Sequence, residues 1–143
     1  MKRRADPEFR EQCALFQWAR LPAVQRQHPA LRLLEGSMNG VRLSAAQAGK
    51  AKAAGMLKGQ HDIRLPVARG EFIGLSVELK VGKNTPTDEQ LQVGQWLEDE
   101  GWCVRYAWGW QAAQEEILSY LALPSRAHGG SITAPSGATI EPK

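Results

Sequence analysis

The sequence predicts an α/β domain with a mixed central β-sheet flanked by helices, and three observations lead there. Residues 62–80, DIRLPVARGEFIGLSVELK, hold two alternating apolar runs around a reversal, the pattern of a β-hairpin. A loop, a helical segment and a further strand-like run, WCVRYAW, come next, and a strand-helix-strand connection is normally a parallel crossover. Segments of helical spacing stand at both ends to cover the sheet. With one antiparallel and one parallel neighbour for the same strand, the sheet is mixed.

In chain order, residues 6–21 read as a helix. Asp6 is a candidate N-cap, Pro7 suits the first helical position, and Phe9, Cys13 and Phe16 recur as an apolar face. Glu8, Glu11 and Gln12 fall together on another face. Pro22 and Pro29 bracket a connecting stretch containing His28, followed by LRLLEGSM as a short first strand and a turn at Asn39-Gly40. Ser44 caps the alanine-rich helix SAAQAGKAKAAGML, which carries Lys50 and Lys52 and is weakened by interior glycines. After the hairpin, VGKNTPT is a loop. A helix from Thr87 to Glu100 then begins with Thr87 and Gln90 at capping-box spacing, presents Leu91, Gly94 and Leu97 inward, and stops at Gly101. The last helix, about 110–121, carries Ile117, Leu118 and Leu121. The order is α, weak β, α, β, β, α, β, α, in one domain over 1–123. Residues 124–143 have no periodicity and read as a flexible tail without a core of its own.

A chain of 143 residues, 43% hydrophobic and 23% charged, has the composition of an ordinary globular domain and can bury a core without cross-links. No stretch approaches the ~18 apolar residues of a membrane span. The opening MKRRADPEFREQ lacks the apolar segment of a signal peptide, so a cytoplasmic location with no membrane partner is expected. Cys13 and Cys103, with no CxxC and no His/Cys cluster, give neither a zinc site nor a disulfide framework and read as buried small hydrophobes. The net charge of +3 is unevenly spread: residues 1–59 hold eleven Lys and Arg against four Asp and Glu, and the remainder holds seven against eleven. Arg42, Lys50, Lys52 and Lys58 form the densest basic region and are candidate phosphate contacts for a nucleic acid.

The hairpin carries the chemistry. Alternation puts Ile63, Leu65 and Val67 on one side with Asp62 and Arg64 opposite, and Ile73, Leu75, Val77 and Leu79 on one side with Ser76, Glu78 and Lys80 opposite. A three-residue loop of Arg69, Gly70 and Glu71 pairs Ile63 with Val77, Leu65 with Leu75 and Val67 with Ile73. That register sets Asp62 directly opposite Glu78, so core packing and site assembly require one arrangement. Two carboxylates suit a hard cation such as Mg²⁺ or Mn²⁺, with the Leu79 carbonyl as a third protein ligand. Such a cation polarises a scissile phosphate and acidifies a water, while Lys80, about 6.6 Å along the strand from Glu78, orients that water or neutralises developing charge.

The ordered set GQHDIRLPVARG…GLSVELKVGKNTPTDEQ…W…EGWCVRYAWGW…A…I…YL, with PEFREQCALFQWARL and MNGVR before it, resembles the virus-type replication-repair nuclease (VRR-NUC) domain of the PD-(D/E)xK nucleases. The resemblance covers nearly all of the chain except the tail. It implies the restriction-endonuclease-like α/β fold, a metal held by Asp62, Glu78 and the Leu79 carbonyl, a catalytic Lys80, and Gln90 assisting from the next helix. It also implies a first-helix glutamate directed at the site, Glu8 or Glu11, with Glu8 favoured. Small stand-alone members of that family resemble phage-encoded homodimeric, structure-specific endonucleases, including Holliday-junction resolvases, and a C₂ dimer would supply the two symmetric cuts a four-way junction needs. The chain departs from the pattern at His61, where the family usually has proline before the metal-binding aspartate. A flap or restriction-type endonuclease, or a catalytically idle DNA-binding module, are the alternative expectations. Of the five tryptophans, Trp18, Trp96 and Trp102 sit in patterned segments and read as core, whereas Trp108 and Trp110 are left open.

Overall fold

The computed structural model describes residues 6–37 and 43–125, with the backbone of 132–133 and 139–140. Four strands form the central sheet in the order β1 (Glu35–Gly36), β2 (Ile63–Leu65), β3 (Leu75–Lys80), β4 (Cys103–Trp108). β2 runs antiparallel to both β1 and β3, and β3 runs parallel to β4. The sheet is therefore mixed, as expected, with β3 at its centre. Helices α1 (Pro7–Ala19) and α5 (Trp110–Leu121) pack with the sheet and each other, and α4 (Asp88–Asp99), which connects β3 to β4, packs on both strands it joins. A short α2 (Pro22–Gln27) and α3 (Ala45–Ala53) complete the helices. A separate two-stranded ladder pairs β5 (Ile132–Thr133) with β6 (Thr139–Ile140).

One face of the sheet is the hydrophobic core. Ile63 and Leu65 of β2, Leu75, Val77 and Leu79 of β3, and Cys103 and Ala107 of β4 meet Leu15 of α1 and Ala113, Ile117 and Tyr120 of α5. Burying each large aliphatic side chain stabilises the fold by roughly 1.5–3 kcal/mol, so this layer fixes the register. The other face of β3 carries Ser76, Glu78 and Lys80, and all six residues of the strand are buried. A polar row is thereby locked at the centre of the molecule, under α4.

Two glycines bring that helix close. Gly59, at φ +85°, lets the chain lie against the start of α4, where a Cβ would stand 2.6 Å from the Glu89 carbonyl. At Gly94 a Cβ would stand 2.4 Å from the Tyr106 hydroxyl and 3.3 Å from His61 Cε1.

Several expectations need correction. Ile63↔Val77 and Leu65↔Leu75 pair as expected, but Val67 and Ile73 do not. Pro66, lacking an N–H, ends the ladder, Val67 turns back to bond Leu65, and Arg69 bridges Phe72 in a wider turn that leaves Ile73 exposed. That turn also receives the end of α5's connection, since the Gly70 N–H donates to the Pro124 carbonyl at 2.8 Å. Pro22 begins a helix rather than a connector. The expected first strand is a 3₁₀ turn over Pro29–Leu33 followed by only two strand residues. In α1 the buried positions are Leu15 and Ala19, while Phe9 and Cys13 are exposed. In α4 the buried pair is Val93 and Gly94, and Leu91 and Trp96 face outward. Cys103 is buried, and Ala113 and Tyr120 join Ile117 on the inner side of α5. The turn at Asn39-Gly40 and Arg42 lie outside the described residues.

Candidate active site

Asp62, Glu78 and Lys80 come together at the end of the hairpin. Past the Ile63↔Val77 pair the ladder is continued by side chains: the Asp62 N–H donates to Glu78 Oε2 at 3.3 Å, and the Leu79 N–H donates to Asp62 Oδ2 at 2.9 Å. Lys80 Nζ lies 3.5 Å from Glu78 Oε1. All three residues are nearly inaccessible, with 6%, 1% and 5% of their surface exposed in that order. Asp62 also borders a cleft of about 210 Å³ shared with Glu35, Ser37, Gln60, His61 and Arg64.

Burying two carboxyls side by side is electrostatically costly. Desolvation, then the charge of Asp62, pushes the Glu78 carboxyl from 4.5 up to about 9, against the pull of Lys80. Asp62 is likewise raised, chiefly by burial, although the Leu79 N–H and the Glu78 carboxyl oppose the shift. Both carboxyls are thus biased toward their neutral forms, Glu78 the more strongly. A divalent cation would replace a proton as the missing positive charge. Among the described residues no three His, Cys, Asp or Glu side chains cluster as a ready-made cage. The donor set is two carboxylates and the carbonyl of Leu79 between Glu78 and Lys80, which fits a hard, partly hydrated cation.

α1 supplies the two glutamates left open by the sequence and sends them to different places. Glu11 Oε2 accepts the Trp110 N–H at 2.8 Å, capping α5, whose own N-cap Gly109 has no side chain to do so. Glu8 lies within the field of the site: burial raises its pKa most, and the charges of Lys80 and Asp62 act on it in opposite directions.

His61 is part of the scaffold. Its Nε2 donates to the Gln90 carbonyl at 2.9 Å, so the neutral ring carries its proton there, and Nδ1 accepts the Ser76 hydroxyl at 2.9 Å. Burial holds its pKa below 6.5. Tyr106 meets the ring edge-on at a centroid distance of 5.6 Å. The Gln90 side chain completes the capping box with Thr87 at 2.9 Å, so its link to the site in this structure runs through its carbonyl and His61.

Of the basic candidates, Lys50, Lys52 and Lys58 are among the described residues, and all three are exposed. Lys50 and Lys52 ride on α3, none of whose residues is buried, and Lys58 pairs with Glu89 at 3.0 Å in solvent. Nothing in the sequence points to the His61–Ser76–Gln90 brace or to the Glu11 cap. Ser76 was placed beside Glu78 by alternation, but nothing in the sequence names its partner.

A mixed sheet with helices on both faces, and a D…ExK triad at the end of its central hairpin, defines an α/β fold of the restriction-endonuclease-like class. Comparison with solved structures matches the chain to a "VRR_NUC domain protein" with a TM-score of 0.67 and 25% identity, over 87% of this chain and 94% of that one. The chain folds as a VRR-NUC domain, in agreement with the resemblance in its motifs. No family model and no curated protein matches it. Among the described residues no helix is long and apolar enough to cross a membrane.

Proposed function

We propose that the protein is a Mg²⁺- or Mn²⁺-dependent deoxyribonuclease that hydrolyses phosphodiesters in branched DNA such as Holliday junctions, working as a homodimer. The observation that carries this reading is the convergence of Asp62, Glu78 and Lys80 on one buried sheet face, with Lys80 Nζ 3.5 Å from the Glu78 carboxyl. Asp62, Glu78 and the Leu79 carbonyl would hold the cation, whose Lewis acidity polarises the phosphate and acidifies a water.

The chain's own groups do the rest. Lys80 donates hydrogen bonds to oxygens that gain negative charge in the transition state, and Glu78 holds its ammonium in place. Glu8, its carboxyl pKa raised by burial, is placed to pass a proton at the edge of the site. Gln90, through His61, keeps the Asp62 segment fixed against α4. Lys50, Lys52, Lys58 and Arg42 contact flanking phosphates and contribute affinity without reading sequence. Two copies related by a two-fold axis would present two such sites to the matched strands of a four-way junction.

Incubation with linear duplex, flap and four-way junction DNA in Mg²⁺ or Mn²⁺, with products mapped, tests the substrate. Paired symmetric cuts in the junction are expected. Preferential flap cleavage replaces the junction reading with a flap nuclease, and binding of branched DNA with no cleavage in either metal replaces it with an idle binding module.

A further inference from the structure

Trp108 is the residue whose placement the catalytic set leaves unexplained. In the parallel pairing of β3 and β4, Glu78 is level with Tyr106 and Lys80 with Trp108, and parallel partners project from the same face. An aromatic row thus runs beside the carboxylate–lysine row. Tyr106 is engaged with His61. Trp108 is not covered: 46% of its surface is exposed at the open end of the sheet. Its Nε1–H donates to the Asn84 carbonyl at 2.8 Å, which anchors one edge of the ring. The exposed Lys83 precedes Asn84 in the same loop. What sets Trp108 apart is its place: an indole anchored through its N–H, level with Lys80, that leaves nearly half of its surface open beside the carboxylate–lysine row. Trp96, also exposed, differs: it lies on the outer side of α4 beside Leu57 and Lys58.

We infer that Trp108 is a stacking platform that receives an unpaired nucleobase next to the scissile phosphate, so that the enzyme favours DNA whose strands are splayed at the cut. The inference rests on the nuclease reading above for the identity of the ligand. Stacking is sequence-tolerant because every base presents a π-face, so Trp108 selects nucleic-acid structure and not sequence.

Binding is measured by anisotropy in EDTA, where no hydrolysis occurs, using labelled forked DNA and a fully paired duplex of equal length. The wild-type chain is compared with Trp108→Phe and Trp108→Leu. The Phe variant keeps a stacking ring and is expected to bind forked DNA nearly as wild type does, while the Leu variant loses about tenfold or more in affinity. Duplex binding is expected to be unchanged in both, and abasic sites at the fork are expected to erase the difference between wild type and the Leu variant. Equal losses in both variants would assign the residue to bracing the loop through its N–H, overturning the inference. No loss in the Leu variant, a loss that persists on abasic or paired DNA, or no binding of forked DNA by wild type would overturn it too. Trp108-dependent binding by a wild type that never cuts in Mn²⁺ would uphold the platform and remove the nuclease reading. Cleavage with Trp108-independent binding would do the reverse.

Discussion

His61 stands immediately before Asp62 and commits both ring nitrogens to the framework, one to Ser76 and one to the Gln90 carbonyl. Where proline would shape this segment through its ring, hydrogen bonds do so here. His61→Ala leaves the buried Ser76 hydroxyl without its acceptor and opens a cavity against Tyr106, and is expected to lower stability by about 2 kcal/mol in urea unfolding. At this scale the triad was readable because period-two alternation allows only one face for Asp62, Glu78 and Lys80 once the core residues are paired. The choice between Glu8 and Glu11 was not readable. It depends on the rotation of α1, which is set by a contact between Glu11 and Trp110, residues 99 apart in the chain.

At the scale of elements, α4 seals the polar face of β3, and its seat is Gly94. Alanine there would normally favour a helix by about 1 kcal/mol, but its Cβ would overlap the Tyr106 hydroxyl, which is held by the ring's packing on His61. Gly94→Ala is therefore expected to destabilise the fold, and to cost less in a Tyr106→Phe background; a thermal-unfolding double-mutant cycle reads that coupling. The boundaries of α1, α4 and α5 and the two core pairs of the hairpin were legible from caps and alternation, whereas α3 ends at Ala53, short of the expected Leu57. The inner stripes of α1 and α4 were not, because side-chain hydrophobicity placed Phe9 and Leu91 inside, whereas close approach at Gly94 turns Val93 inward. Likewise the third core pair was lost to Pro66, whose missing N–H ends the ladder.

For the molecule as a whole, the burial of the Glu78 carboxyl links stability, pH and metal. Glu78, raised from 4.5 to about 9 in the fold, keeps a proton that the unfolded chain releases. This carboxyl's contribution to stability therefore falls as pH rises between those values. His61, held below 6.5 in the fold, takes up a proton more readily when unfolded and adds the opposite slope only below about that pH. Between pH 7 and 9 the metal-free melting temperature is thus expected to decline, and the gain on adding Mn²⁺ to grow, because the cation competes with a proton held less firmly at higher pH. A Mn²⁺ effect independent of pH would separate metal binding from this carboxyl. The central claim is tested most directly by cleavage of branched DNA in Mn²⁺ by wild type and by Lys80→Ala, with folding of the variant verified by its melting transition. Wild type is expected to cut and the variant to be slower by about 10²-fold or more; a folded Lys80→Ala protein that cuts as fast as wild type would contradict the account.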